Sequence, residues 1–216
     1  MAAKLKDTKV AILAADGVEE SEVMKSLIRL YQAGARTEVV SLTRDAVQAQ
    51  DQGRASHHIR VDADVHAARS ERYDGVVVPG GSGHAERLRA DAEMVRFIKG
   101  FFRQQKPVAA LGEGVALVLE AAQVTGRKLA SPDSLAEDVN HAGGQRVDQP
   151  LVTDGNLTTG RRHDSLDAFT ERIVRELSRS RGKRRRRRAA VILTHWLRSG
   201  RGSIEQTATR PRQKAR

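Results

Sequence analysis

The sequence predicts an α/β fold in which a mostly parallel sheet is covered by helices on both faces. Short apolar runs rich in β-branched residues alternate with longer runs whose apolar residues recur at helical spacing. Parallel strands need crossover helices of this kind between them. With 216 residues, the chain is long enough for one domain of roughly 150 to 200 residues and an appendage.

Each element is predicted from its own pattern of apolar residues and of chain breakers. The predicted strands are Lys9–Ala14, Thr37–Leu42, Gly75–Val78 and Val108–Leu111, with short strands near Val147, Leu151 and Leu157. The predicted helices lie between Glu19 and Gly34, at Ala92–Arg103, after Val115 and at Ser165–Leu177, and Ser134–His141 is a further segment of the domain. The pattern between Ala46 and Val65 is weak, and is compatible with a small hairpin or an excursion from the sheet.

Charge divides the chain into a nearly neutral body and a basic tail. The formal net charge is +11, with 38 Lys and Arg against 27 Asp and Glu. The segment 178–216 alone carries 14 basic residues and one acidic residue, so residues 1–177 have a net charge of −2. We expect one folded domain over 1–177 and a disordered tail over 178–216. Nonspecific binding of nucleic acid is then a property of the tail, through Arg184, Arg185, Arg186, Arg187 and Arg188.

The composition excludes several chemistries. The chain has no cysteine, so it has no disulfide, no thiolate metal ligand and no cysteine nucleophile. The histidines show no paired spacing with acidic residues, so we expect neither a metal site nor a cofactor. The first eight residues lack the apolar core of a secretory signal, and no segment reaches membrane-spanning length. These features predict a cytoplasmic protein with no membrane partner.

The segment Lys106-Pro-Val-Ala-Ala-Leu-Gly-Glu-Gly-Val115 contains the most informative turn in the sequence. An apolar strand runs into a Gly-Glu-Gly turn, and a helix follows. Such a strand-to-helix elbow presents one residue at its tip, where backbone N–H groups of the following helix converge. The residue at this tip is Gly112, which has no side chain.

The order of motifs along the chain resembles that of the DJ-1/PfpI family, relatives of class I glutamine amidotransferases. The resemblance spans about Lys9 to Leu177. It is carried by five motifs, which are Ala15-Asp-Gly-Val-Glu-Glu20, Val76-Val-Val-Pro-Gly-Gly81, Lys106-Pro-Val-Ala-Ala110, Asn140-His-Ala-Gly-Gly144 and Val152-Thr-Asp-Gly-Asn156. It implies a flavodoxin-like three-layer α/β/α sandwich with a mostly parallel sheet, and a homo-oligomer.

The resemblance also implies where an active site would lie. Active members have Cys-His-Gly at the elbow, with the cysteine as nucleophile, and here those first two positions are Gly112 and Glu113. An acidic residue that supports the cysteine matches Glu19, and Gly80 and Gly81 match the backbone that lines the oxyanion site. The Ala-Leu-Gly-Glu-Gly-Val variant is also similar to the C-terminal domain of large-subunit catalases, which is not catalytic.

Two interpretations of these residues stay open. In the first, the protein is a pseudoenzyme with a binding, assembly or chaperone-like role connected with stress, and its vestigial pocket contains Gly80, Gly81, Gly112 and Glu113. In the second, it is a cysteine-independent hydrolase, deglycase or glyoxalase-type enzyme in which Glu19 and Glu113 share a cleft as acid and base.

Simpler roles compete with each functional assignment. Glu19 would only cap its helix, and Glu113 would face solvent or a subunit contact. The Pro79-Gly-Gly-Ser-Gly83 turn has backbone N–H groups suited to an anion, and His84 follows it. We expect His84 to be a solvated surface residue rather than a ligand contact.

Overall fold

A computed structural model describes residues 4–122, 124–161 and 165–198 of the protein. The chain divides into two compact units, Met1–Ser180 and Arg181–Arg216. The first unit contains all the strands of the described residues. No helix in the described ranges is both long enough and apolar enough to cross a membrane.

The first unit is built on a seven-stranded sheet. The strands are β1 (Lys9–Leu13), β2 (Val18–Glu19), β3 (Arg36–Ser41), β4 (Ala46–Asp51), β5 (Arg54–Arg60), β6 (Ala63–Asp64), β7 (Gly75–Val78), β8 (Val108–Leu111), β9 (Lys128–Leu129), β10 (Gln145–Arg146), β11 (Leu151–Asp154) and β12 (Leu157–Gly160). The sheet order is β11-β12-β8-β7-β1-β3-β6. All neighbours in it are parallel except β11 and β12.

The helices complete a three-layer sandwich. They are α1 (Glu20–Gln32), α2 (Ser82–Ala90), α3 (Ala92–Arg103), α4 (Val115–Ala121), α5 (Ala136–His141) and α6 (Leu166–Arg198). Alternate residues of β1 belong to two separate cores. Ala11 and Leu13 pack with α2, α3, α4 and α5, whereas Val10 and Ile12 pack with α1 and with the first part of α6. Both faces of the sheet are therefore buried, and the predicted three-layer α/β fold is confirmed.

The segment between Ala46 and Val65, whose sequence pattern is weak, contains a hairpin. Strands β4 and β5 pair antiparallel, and β2 joins β4 to give a separate three-stranded sheet. Because β2 leads directly into α1, the hairpin lies beside the first turn of that helix. This places Gln50 and Gln52 near the carboxyl ends of the parallel strands.

The last helix is longer than its sequence pattern predicts. It begins at Leu166 and ends at Arg198, whereas the prediction ends at Leu177. Its sequence contains no proline, and the Arg, Lys and Ala residues around Gly182 favour helix, so one glycine does not end the helix after Leu177. Residues 178–198, which were expected to be disordered, are therefore helical, and residues 199–216 lie outside the described residues, where the disorder stays a prediction.

Candidate functional site

The elbow lies where β8 meets α4, at the carboxyl edge of the parallel sheet. Gly112 has a φ of +55°, in the left-handed region that side-chain-bearing residues seldom occupy. A Cβ built at this position would meet one atom within 4 Å, the Gly80 Cα at 3.7 Å. The tip therefore has room for a side chain, and glycine removes the conformational strain of carrying one.

The loop after β7 approaches the loop after β1 without space for side chains. Gly81 has a φ of +115°, and a Cβ there would lie 2.1 Å from the Gly17 carbonyl oxygen. The Glu19 N–H donates to the Gly80 carbonyl oxygen at 3.0 Å. This backbone contact holds the first turn of α1 against the elbow, because Gly80 also lies beside Gly112.

Glu22 is the buried carboxylate of the site, and the sequence analysis missed it. Its Oε2 accepts a hydrogen bond from the Gly80 N–H at 2.5 Å, and the residue is 4% exposed. Burial raises the pKa of Glu22 to about 7. The Gly80 hydrogen bond opposes this rise, and the negative charges of Glu19 and Glu113 add to it. Glu22 therefore exchanges its proton near neutral pH.

These residues line one cavity of about 420 Å³. Its walls come from six regions of the chain: the start of α1, the hairpin, the loop after β7, the elbow, and the segments after β9 and β12. The lining residues are Glu19, Glu22, Gln50, Gln52, Gly81, Gly112, Glu113, Pro132, Asp133 and Arg161. We call this cavity the elbow cleft. It is polar and rich in carboxylates, so it suits a small polar ligand.

The two acids expected in the cleft are both there. Glu19 occupies the N-cap position of α1, but its side chain makes no capping hydrogen bond. Its Oε1 instead accepts from the Gln52 N–H at 3.3 Å. Glu113 lies in the 3-10 turn Gly112–Gly114 and is half-buried. The structure thus brings Glu19 and Glu113 together around Glu22.

Among the described residues that line the cleft, the one cation is already engaged. Arg161 forms an ion pair with Asp148, and Asp133, which also lines the cleft, forms an ion pair with Arg146. Both aspartates are almost fully exposed. The carboxylates of Glu19, Glu22 and Glu113 therefore dominate the electrostatics of the elbow cleft.

His84 is buried, and the expectation of a solvated surface histidine is wrong. The residue is 0% exposed, and its Nδ1 accepts a hydrogen bond from the Ala15 N–H at 3.0 Å. Burial lowers the pKa of His84 to about 4, and backbone groups of Pro79 and Ala15 offset only part of this effect. The neutral ring fixes the loop after β1, because Gly17 leaves no side chain between that loop and α2.

His57 contacts an acid that is distant in the sequence. Its Nδ1 lies 3.0 Å from Glu20 Oε1, and the Ser56 hydroxyl donates to Glu20 Oε2. These contacts connect β5 to the start of α1. No group of three or more His, Asp or Glu side chains in the described part of the chain is arranged to hold a metal ion.

Two other features lie outside the elbow cleft. A cavity of about 460 Å³ shares no lining residue with it, and contains Lys9, Glu38 and Tyr73. There the Tyr73 hydroxyl donates to Glu38 Oε2 at 2.6 Å, and Lys9 Nζ lies 2.6 Å from Glu38 Oε1. These mutual contacts indicate a structural role. The side chains of residues 184–188 lie outside the described part, so nucleic-acid binding by the tail stays a prediction.

Comparison with known proteins agrees with the fold. The model of the DJ-1/PfpI family matches residues 8–176. An uncharacterized protein of Archaeoglobus fulgidus is 33% identical over 171 residues, which cover 79% of this chain and 99% of that protein. A protein of Thermococcus kodakarensis named a deglycase is 31% identical over 169 residues, covering 78% of this chain and 99% of that protein.

Solved structures show the same architecture. A two-domain protein of Anabaena variabilis, with DJ-1/ThiJ/PfpI-like and ferritin-like domains, superposes with a TM-score of 0.74 at 30% identity. That match covers 79% of this chain and 48% of the other. DJ-1 of Schizosaccharomyces pombe superposes with a TM-score of 0.70 at 17% identity, over 82% of this chain and 98% of that one. The similarity of the elbow to the catalase domain stays a prediction, whereas the match over residues 8–176 shows that the chain belongs to the DJ-1/PfpI family.

Proposed function

We propose that this protein is a pseudoenzyme of the DJ-1/PfpI family, which binds a small polar ligand in the elbow cleft and performs no covalent catalysis there. Its role is then one of binding, assembly or chaperone-like protection under stress. The observation that carries the proposal is Gly112 at the elbow tip, in a chain with no cysteine. A residue without a side chain supplies no nucleophile to that position.

The surroundings of the tip support loss of the nucleophile rather than loss of the site. Gly112 keeps a left-handed backbone that glycine allows but that an ordinary turn does not require. The space beyond it is open to the Gly80 Cα at 3.7 Å. The cleft beside it has a volume of about 420 Å³. A site of this shape still accommodates a ligand after its chemistry is gone.

The backbone donor expected at the oxyanion site is also engaged. The Gly80 N–H donates to Glu22 Oε2 at 2.5 Å, so it is not free to stabilise a developing oxyanion. Electrostatic stabilisation of this kind depends on donors that are already aimed at the substrate oxygen. The engaged donor therefore argues against acyl-transfer chemistry in the cleft.

The test is turnover of methylglyoxal and of a glycated amine by the purified full chain. Wild type is expected to consume neither faster than the matched variant Glu22→Gln or the protein-free buffer. Turnover by wild type that Glu22→Gln abolishes would overturn the pseudoenzyme proposal.

Glu22 supports a second candidate function, a cysteine-independent hydrolase or lyase of the deglycase or glyoxalase type. A general acid or base works best when its pKa is close to the working pH, and the pKa of Glu22 is about 7. Glu22 would then transfer one proton of the reaction, and Glu19 and Glu113 would hold or relay the other. The relative named a deglycase makes glycated amines the first substrates to try. In this case the rate would change with pH around 7, and Glu22→Gln would abolish that change.

A further inference from the structure

A cleft with a different character from the elbow cleft lies beside α3. It has a volume of about 450 Å³ and shares no lining residue with the elbow cleft. Its walls come from the segment between β6 and β7 and from α3 itself. Three arginines line it, Arg69, Arg96 and Arg103. We call this cavity the arginine cleft.

A close contact between two segments brings these arginines together. Ser70 lies against Gly100 of α3, because a Cβ at Gly100 would lie 2.1 Å from the Ser70 Oγ. Residues three and four apart lie on the same side of a helix. Arg96 is four residues before Gly100 and Arg103 is three residues after it. Arg69 immediately precedes Ser70, so the three arginines surround this one contact.

Two of the three arginines have no acidic partner. In the part of the chain that the structure describes, no carboxylate forms an ion pair with Arg69 or Arg103. Arg69 is held by the backbone instead, since its Nη1 donates to the carbonyl oxygens of His66 at 3.2 Å and Ala68 at 3.1 Å. A guanidinium group has five N–H donors. Arg69 is therefore positioned, and most of its donors are available to a ligand.

The lining of the arginine cleft has the opposite charge from that of the elbow cleft. Besides the three arginines it contains Glu71 and Glu93, which gives a formal charge of +1 with His66 neutral. Glu93 forms an ion pair with Arg96, and Glu71 is exposed. The elbow cleft has four carboxylates against one arginine, a formal charge of −3. The two clefts therefore suit ligands of opposite charge.

The arginine cleft also has an apolar side. Val65, Ala68 and Phe97 line it and are all buried. The ring of Phe97 is fixed by edge-to-face contacts with Tyr73, at 5.7 Å between centroids, and with Phe101, at 5.2 Å. A rigid apolar wall thus stands beside cationic groups, which is the pattern of a site for a small anion with an organic body.

We propose that the arginine cleft binds a small phosphate monoester, with the phosphate group on Arg69 and Arg103 and the organic part against Phe97. The planar guanidinium fork matches the geometry of phosphate oxygens and binds two of them at once. A phosphate monoester carries a charge of about −1.5 to −2 at pH 7, which two arginines without acidic partners can neutralise. The volume of about 450 Å³ is in the usual range for sites of small molecules.

The test is isothermal titration calorimetry of the full chain with phenyl phosphate at low ionic strength. Wild type should bind it with a Kd of about 1 mM or lower, and phenol should not bind. Arg69→Gln and Arg103→Gln should each weaken binding at least about 10-fold, the effect of losing one hydrogen bond to a charged group. The matched control is Arg87→Gln, at an exposed position on α2 that lines neither cleft. Absence of binding, or equal affinity in wild type and both cleft variants, would overturn the proposal.

The basic tail is a second source of affinity for phosphate, and a further variant separates it from the cleft. Replacing all five arginines of the run 184–188 with glutamine should leave the affinity for phenyl phosphate unchanged. Binding that this variant loses, and that Arg69→Gln retains, would assign the phosphate to the tail and contradict the proposal.

Glu71→Gln tests the charge of the cleft in the opposite direction. It removes a negative charge from the lining, so it should tighten binding of phenyl phosphate by about two- to fivefold. Damage to the fold does not produce a gain in affinity, and a Glu71→Gln variant that binds no more tightly than wild type would contradict the assignment. The outcome is independent of turnover in the elbow cleft, so this proposal and the pseudoenzyme proposal fail separately.

Discussion

The replacement Glu22→Gln should stabilise the protein above neutral pH. Burial raises the pKa of Glu22 from 4.5 to about 7, so the folded chain keeps this proton in a pH range where the unfolded chain has released it. The resulting stability is fully present below pH 4.5 and is lost as the pH rises through about 7. The two pKa values differ by about 2.5 units, and each unit corresponds to about 1.36 kcal/mol. The free energy of unfolding therefore changes by about 3 kcal/mol.

Glutamine is neutral at every pH and close to glutamate in size, and its side-chain oxygen can accept from the Gly80 N–H. The variant and wild type should therefore have similar free energies of unfolding at pH 4.5, and the variant should be about 3 kcal/mol more stable above pH 7. The assay is urea unfolding followed by far-UV circular dichroism across this pH range. Glu137→Gln, at an exposed position on α5, is the control.

The difference in unfolding free energy between Glu22→Gln and wild type isolates the contribution of Glu22, whereas the pH dependence of wild type alone does not. Burial lowers the pKa of His84 from 6.5 to about 4, so the stability that this residue contributes is lost as the pH falls through that interval. This effect opposes that of Glu22 over an overlapping range, and it cancels when two proteins that both contain His84 are compared. A difference between Glu22→Gln and wild type that does not change with pH would refute the reasoning.

Three further predictions concern the residues that shape the site and the core. As the pH falls from 6.5 to 4, the free energy of unfolding should decrease less for His84→Gln than for wild type, because only wild type has a buried ring that must exclude a proton. The same urea titrations measure both proteins. Gly81→Ala should destabilise by more than about 3 kcal/mol, since its Cβ would lie 2.1 Å from the Gly17 carbonyl oxygen. Gly126→Ala, whose Cβ would meet nothing within 4 Å, should cost only about 1 kcal/mol, and equal costs would contradict the close approach. Phe101→Ala should cost about 3 to 5 kcal/mol in thermal and urea unfolding, because the side chain is fully buried, and a cost below about 1 kcal/mol would contradict its place in the core.

The sequence predicts the sheet and most helices because their ends carry local signals. Gly75–Val78 and Ala92–Arg103 agree with the structure at both ends. A Pro-Gly-Gly turn follows the strand, and Asp91 caps the helix by accepting from the Met94 N–H. The end of α6 has no such signal, because no strong helix breaker follows Leu177 closely enough to stop the helix.

The candidate site is predicted only where it depends on local sequence. The elbow follows from an apolar strand and its Gly-Glu-Gly turn. Glu22 needs tertiary information, because its burial arises from the loop that contains Gly80. A helical signal was present, since Glu22 lies eight residues before the buried Leu30 and so close to the same side of α1. The burial of His84 likewise depends on how closely the loop at Gly17 approaches α2.

The most direct test of the pseudoenzyme account is to restore the missing side chains. The space beyond Gly112 admits a cysteine, at a conformational cost of about 1 to 2 kcal/mol. We predict that wild type and the control Gly112→Ala/Glu113→His are inert towards methylglyoxal, and that Gly112→Cys/Glu113→His gains a turnover that an alkylating agent abolishes. Equal turnover by wild type and by the restored variant, insensitive to alkylation, would contradict the account and assign the chemistry to the carboxylates.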